Sequence, residues 1–123
     1  MQPIILAATQ ITPRVVFDTN GNLFLQGRSL TTDVIAFFQP LIEWAAELTT
    51  PSVCFTLELD YLSTASSKML LQLLQVLENN SNIDDFNVIW RFEEDDEDIL
   101  VKGQIYGERL KKARFQFSEF VVT

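Results

Sequence analysis

The side chains best suited to carry chemistry are four hydroxyl groups within five positions, Ser63, Thr64, Ser66 and Ser67. A β-rich apolar stretch precedes them and a helical pattern follows, so they fall at a helix start, where the first backbone N–H groups have no helical partner. Ser63 or Thr64 is needed there as the N-cap. A phosphoryl group on one of these hydroxyls would face free N–H donors and the positive end of the helix dipole, and Lys68 lies one turn away. The residues alone favour capping and leave phosphorylation open.

Two carboxylates offer a different chemistry. Glu58 and Asp60 lie two positions apart on a predicted strand and therefore point to the same side of it. A carboxylate pair can transfer protons, as in a small hydrolase or transferase. That hypothesis needs a sizeable pocket lined by both side chains, and the end of a polar strand explains them equally well.

The remaining candidates favour structural roles. Residues 93–98 are an unbroken acidic run, which lacks the alternating ligands and central glycine of a calcium loop and is typical of a solvated helix N-terminus. Histidine, the commonest general base and metal ligand, is absent. The single cysteine, Cys54, lies in an apolar stretch and is predicted to be buried in the core. We therefore expect no metal, no cofactor and no catalytic thiol.

The apolar pattern predicts the elements that position these side chains. Apolar runs at 15–17 and 23–25 flank an Asn20-Gly21 step, which favours a β-hairpin. Residues 3–8 are predicted as an edge strand. Gly27-Arg28-Ser29 is predicted to break the second strand of the hairpin.

Helices and strands alternate after the hairpin. A helix is predicted over residues 31–48, capped by Thr31 or Thr32 and kinked or split at Pro40. The later elements are a central strand over 53–59, a break over 61–65, a helix over 66–78, a strand over 86–92, a helix from 95 to about 112 and a closing strand over 115–122. Trp44 and Trp90 are expected in the core or at its rim. The alternation predicts an α/β fold with a mixed β-sheet and about three packed helices.

Composition limits the classes of function. The 123 residues, 47% of them apolar, are expected to form a single domain over 1–123. A net charge of −8 disfavours binding to nucleic acid or an anionic membrane surface. The N-terminus lacks the pattern of a signal peptide, and no stretch is long and apolar enough to cross a bilayer. A cytoplasmic protein is expected.

Five pieces of the sequence form an ordered set of motifs: Gly27-Arg28-Ser29-Leu30, Phe38-Gln39-Pro40-Leu41-Ile42-Glu43-Trp44, Tyr61-Leu62-Ser63-Thr64-Ala65-Ser66-Ser67-Lys68, Trp90-Arg91-Phe92-Glu93-Glu94-Asp95-Asp96-Glu97-Asp98-Ile99-Leu100 and Gly103. In their order and spacing these motifs resemble the SiaC family of small bacterial regulatory phosphoproteins. The resemblance covers about residues 12–120. Where the family typically has asparagine before the central threonine and serine after it, this chain has Ser63 and Ala65. Thr31-Thr32 replaces a frequent Pro-Glu.

The resemblance implies a regulatory switch on a fold like that of anti-sigma-factor antagonists (STAS-like domains). Thr64 would be phosphorylated by a dedicated protein kinase and dephosphorylated by a PP2C-type phosphatase. The unphosphorylated protein would bind and activate a diguanylate cyclase, which raises cyclic di-GMP and favours biofilm formation. The protein itself would perform no chemistry.

The leading hypothesis is therefore a phosphorylation-controlled binding protein with Thr64 as the switch. Its partner-binding surface is expected to comprise Tyr61, Ser63, Ser66, Ser67 and Lys68. Two alternatives remain: a constitutive interaction domain in which Thr64 is a buried helix cap, and the less favoured hydrolase that uses Glu58 and Asp60.

Overall fold

The computed structural model describes residues 1–121, in which one sheet of six strands carries three helices. In chain order the elements are β1 (Ile4–Leu6), β2 (Arg14–Phe17), β3 (Asn22–Ser29), α1 (Val34–Ala46), β4 (Ser52–Leu62), α2 (Thr64–Asn79), β5 (Asp85–Glu93), α3 (Glu97–Arg109) and β6 (Arg114–Phe120). The predicted order is confirmed. Val122, at the end of the predicted last strand, lies outside the described residues.

The strands lie in the sheet in the same order as in the chain, from β1 to β6. β1, β2 and β3 pair antiparallel, whereas β3, β4, β5 and β6 are all parallel. The predicted mixed α/β sheet is therefore confirmed. Buried and less buried residues alternate along β4 and β5, because the helices pack on one face of the sheet.

The hairpin between β2 and β3 forms as predicted. Gly21 has φ +95°, a conformation that costs glycine little, and a Cβ there would meet the Ser52 carbonyl oxygen at 2.1 Å. The sequence predicted a break in the strand at Gly27, and the structure shows none there. β3 continues to Ser29 because it pairs with β4 through a bulge, after which Arg28 lies opposite Tyr61.

Helix α1 starts later than predicted and is not split. Asp33 is its N-cap and accepts a hydrogen bond from the Ala36 N–H at 3.3 Å, so the expected caps Thr31 and Thr32 were wrong. Thr31 instead accepts a hydrogen bond from the Asp33 N–H. The helix continues through Pro40 because residues on either side of it, including Phe38 and Leu41, are held in the core.

Two other expectations about burial have different outcomes. Trp44 and Trp90 are 8% and 1% exposed, which confirms their place in the core. Cys54 is only half-buried, so the prediction of a core thiol was wrong. Its neighbours Val53 and Phe55 point toward the helices, and strand alternation therefore places Cys54 on the opposite face.

Candidate functional site

The start of α2 and the start of α3 lie side by side because of the strand order. β4 and β5 are parallel neighbours, so their carboxyl ends lie at the same edge of the sheet. Each strand passes into a helix there, β4 into α2 and β5 into α3. In open α/β sheets this edge is the usual place for binding sites. The hydroxyl run and the acidic run, 30 residues apart in sequence, are therefore brought together.

Ser63 is the N-cap of α2, which leaves Thr64 as the first helical residue. The Ser66 N–H donates to Ser63 Oγ at 3.1 Å. Ser66 is fully buried, and its hydroxyl is hydrogen-bonded to Ser63 at 2.9 Å and to Ser29 at 2.8 Å. Ser66 thus lies beneath the surface and presents no group to a partner in this conformation. Its hydroxyl instead ties the first turn of α2 to the end of β3.

Thr64 lies on the surface of this first turn. Its side chain is exposed, and none of the side-chain hydrogen bonds within residues 1–121 involves its hydroxyl. The residue lines a cleft of about 620 Å³ between the starts of α2 and α3. The hydroxyl is thus accessible and has no structural task, in contrast to that of Ser63.

The lining of this cleft is acidic and partly apolar. Tyr61 and Val101 contribute exposed apolar surface, with 51% and 48% of each residue accessible. Lys102 is the one basic residue among the described residues that line it. The carboxylates of the cleft are Asp60, Asp96, Glu97 and Asp98.

Two residues of α3 hold the first turn of α2, and the sequence alone did not identify them. Lys102 Nζ donates to the Leu62 carbonyl oxygen at 3.2 Å and to Ser67 Oγ at 3.0 Å. Tyr106 donates from its hydroxyl to the Ser67 carbonyl oxygen at 2.8 Å. Lys102 and Tyr106 are four positions apart and therefore lie on one face of α3. The sequence shows that spacing, but it does not show that the two side chains contact the start of α2.

Burial raises the pKa of the Tyr106 hydroxyl above its ordinary value of 10.0. The unfolded chain therefore loses this proton at a lower pH than the folded protein does. Below about pH 10 both states keep the proton, and the stabilisation from Tyr106 is complete; it is lost as the pH rises through the folded-state pKa.

We therefore expect Tyr106→Phe to lower the free energy of unfolding by about 1 kcal/mol at neutral pH, because the hydrogen bond to Ser67 is lost. Above about pH 10 this difference from the wild type should shrink. Urea unfolding of both proteins between pH 7 and 11 measures it. A difference that stays constant across this range would contradict the prediction.

The other expected partner-binding residues differ in exposure. Tyr61 and Lys68 are exposed, whereas Ser63 and Ser67 are half-buried. The Ser67 hydroxyl donates to the Ser63 carbonyl oxygen at 2.9 Å. The surface that a partner would meet at this helix start therefore consists mainly of Tyr61, Thr64 and Lys68.

The roles of Ser63 and Thr64 can be distinguished by the effect of each alanine substitution on the free energy of unfolding. We expect Ser63→Ala to lower the free energy of unfolding by about 1–2 kcal/mol, because it removes the cap and a partner of the buried Ser66 hydroxyl. Thr64→Ala should change it by no more than about 0.5 kcal/mol, as is usual for an exposed site. Equilibrium unfolding in urea measures both. Equal losses from the two substitutions would identify Thr64 as a structural cap.

Glu58 and Asp60 do share a cleft of about 320 Å³ on the opposite face of the sheet. Both oxygens of Glu58 are already engaged, however, one by an ion pair with Arg91 and the other by Gln26. Asp60 is then the only free carboxylate of the pair within the described structure. The pocket that the hydrolase hypothesis needs is thus present, but Glu58 would have to release Arg91 or Gln26 before it could transfer a proton.

The acidic run spans a strand end, a turn and a helix start. Glu93 ends β5, Asp96 caps α3 by accepting from the Ile99 N–H at 3.2 Å, and Glu97 and Asp98 lie in the first turn. The predicted helix thus begins two residues later than expected. Across residues 1–121, no group of three or more carboxylate or cysteine side chains is arranged to hold a metal ion. None of the helices in that range is long and apolar enough to cross a membrane.

Comparisons with known proteins identify the family. SiaC of Pseudomonas aeruginosa has a similar structure, with a TM-score of 0.80 and 22% identity over 99% of this chain and 100% of its own. A chain in the crystal structure of diguanylate cyclase SiaD in complex with its activator SiaC, from the same organism, gives a TM-score of 0.78 at 22% identity over 97% of this chain and 99% of its own. No curated protein matches. The model of the SiaC family regulatory phosphoproteins matches residues 6–120, and this chain therefore belongs to that family.

Proposed function

We propose that this protein is a cytoplasmic, non-enzymatic binding protein whose choice of partner is controlled by phosphorylation of Thr64. A protein kinase adds the phosphoryl group and a PP2C-type phosphatase removes it. The unphosphorylated form binds and activates a diguanylate cyclase and so raises cyclic di-GMP. The observation that carries the proposal is the position of Thr64: it is exposed, it lines the cleft between the starts of α2 and α3, and Ser63 rather than Thr64 caps the helix.

The chemistry of the position supports a charge switch. A phosphoryl group adds about −1.5 to −2 charges and three strong acceptors. Here it would join a cleft that already carries the carboxylates of Asp60, Asp96, Glu97 and Asp98. A partner that packs on the neutral surface of Tyr61 and Thr64 would then have to bury a charge that it does not neutralise, which is costly. Phosphorylation is thus suited to release a partner from this side of the cleft.

The proposed effector follows from the family. The similar complex contains diguanylate cyclase SiaD with its activator SiaC. Both the shared fold and the family membership support an equivalent partner for this chain. The substitutions Ser63 and Ala65 beside the switch lie on the surface that a kinase must approach, so we expect a kinase adapted to this sequence rather than a shared one.

The test is a reconstitution with the diguanylate cyclases of the native host. Each purified cyclase is assayed for cyclic di-GMP formation alone, with unphosphorylated protein and with protein that carries phosphothreonine at position 64. The proposal predicts that one cyclase is activated by the unphosphorylated form and stays at its basal rate with the phosphorylated form. Equal activation by both forms would favour the constitutive interaction domain. If no cyclase is activated, the proposal that the effector is a diguanylate cyclase is refuted.

A further inference from the structure

The side chain of Lys102 lines the same cleft as Thr64, the proposed switch residue. It extends from α3 into the cleft that Thr64 lines. Its Nζ donates to the carbonyl oxygen of Leu62, the last residue of β4, and to the hydroxyl of Ser67, in the first turn of α2. Lys102 therefore joins three elements around Thr64.

Among the described residues that line the cleft, Lys102 is the one that could pair with a phosphate. Besides Lys102, each charged residue that lines the cleft within residues 1–121 is a carboxylate. Lys68, one turn after Thr64 on α2, is exposed and does not line the cleft. An exposed lysine contributes little to an ion pair because solvent screens it, whereas a half-buried ammonium group already positioned by two hydrogen bonds interacts more strongly.

We propose that Lys102 is the counter-ion of a phosphate on Thr64, and that phosphorylation draws its ammonium group away from Leu62 and Ser67. This inference rests on the proposed phosphorylation of Thr64. Once Lys102 has left, Tyr106 makes the remaining described hydrogen bond from α3 to Ser67. The start of α3, with the acidic residues Asp96, Glu97 and Asp98, is then held less firmly against α2. Phosphorylation thus changes the shape of the cleft as well as its charge.

The experiment uses the full chain with phosphothreonine incorporated at position 64 during translation, so that it does not depend on the native kinase. ³¹P NMR titration gives the second pKa of the phosphate in the otherwise wild-type protein, in Lys102→Met and, as the matched control, in Lys68→Met. We expect Lys102→Met to raise that pKa by about half a unit or more, since a nearby ammonium group favours the dianion. Lys68→Met should raise it by less, and Lys102→Arg should restore the wild-type value. The other charged groups that face the phosphate are Asp60, Asp96, Glu97 and Asp98.

An equal or larger effect of Lys68→Met, or no effect of Lys102→Met, would overturn the inference. If Lys102→Met does not fold, the inference is tested by the ¹⁵N NMR chemical shift of the Lys102 side chain in the otherwise wild-type protein, with and without the phosphate. This shift should move on phosphorylation, and an unchanged shift would overturn the inference. A native protein that never carries phosphate would instead refute the proposed function, and the outcome of this titration would be unaffected.

Discussion

Thr64→Glu is expected to weaken binding of the effector cyclase on the order of 10- to 100-fold while the fold stays intact. The physical reason is the added charge: a carboxylate on the neutral surface beside Tyr61 must be desolvated when the cyclase binds, in a cleft that already carries the carboxylates of Asp60, Asp96, Glu97 and Asp98. Stability should change by less than about 1 kcal/mol, because acidic residues are tolerated in the first turn of a helix. Biolayer interferometry on the immobilised cyclase measures the affinity, and urea unfolding measures the stability.

The matched control for this substitution is Thr64→Gln, which adds nearly the same volume without charge. If charge is the cause, the glutamine variant should bind within about threefold of the wild type, a difference of less than 1 kcal/mol. A loss equal to that of Thr64→Glu would show that the cyclase contacts this position by shape alone. Wild-type affinity in Thr64→Glu would place the effector surface elsewhere on the protein.

Gly103→Ala is expected to lower the free energy of unfolding by about 2–3 kcal/mol, through steric overlap in the core. A Cβ at this position would lie 2.5 Å from Nε1 of Trp90. The indole cannot move aside easily, because Trp90 is 1% exposed and its Nε1 donates to the Ile99 carbonyl oxygen at 2.9 Å. Displacement of α3 would also shift Lys102 and Asp96 in the cleft, so cyclase binding should fall with stability. Equilibrium unfolding followed by tryptophan fluorescence measures the loss.

Gly107→Ala is the control, one turn further along α3. Its Cβ would meet the Phe115 ring at 3.4 Å, an ordinary contact. Because alanine favours helix over glycine by about 1 kcal/mol, this variant should be neutral or slightly more stable. If both substitutions cost the same, the close approach of α3 to Trp90 is not what makes glycine necessary at position 103.

The order of the elements could be predicted from local patterns, but several boundaries could not. Apolar periodicity located α1 and α2, apolar runs located the strands, and the charges at its two ends located α3. The end of β4 was placed three residues too early, because Asp60 and Tyr61 are exposed. The strand continues because Tyr61 and Leu62 pair with β3 beyond the bulge at Asp60. For the same reason α2 begins at Thr64 rather than Ser66. Tertiary pairing overrides local preference at such positions.

The candidate site could be predicted only in part. The hydroxyl run marked the start of α2, and local rules required a cap at Ser63 or Thr64. They could not decide which of the two caps the helix, since that depends on where β4 ends. Lys102 and Tyr106 reach this site only because β4 and β5 are neighbours in the sheet, and no local pattern encodes that adjacency.

Phosphosite mapping by intact and peptide mass spectrometry, on protein purified from its native host, tests the central claim most directly. The wild type is compared with Thr64→Ala over several growth conditions. The account predicts one phosphate on Thr64 in part of the wild-type protein and none in the variant. A native protein without phosphate under every condition, or a phosphate that persists in Thr64→Ala, would contradict it.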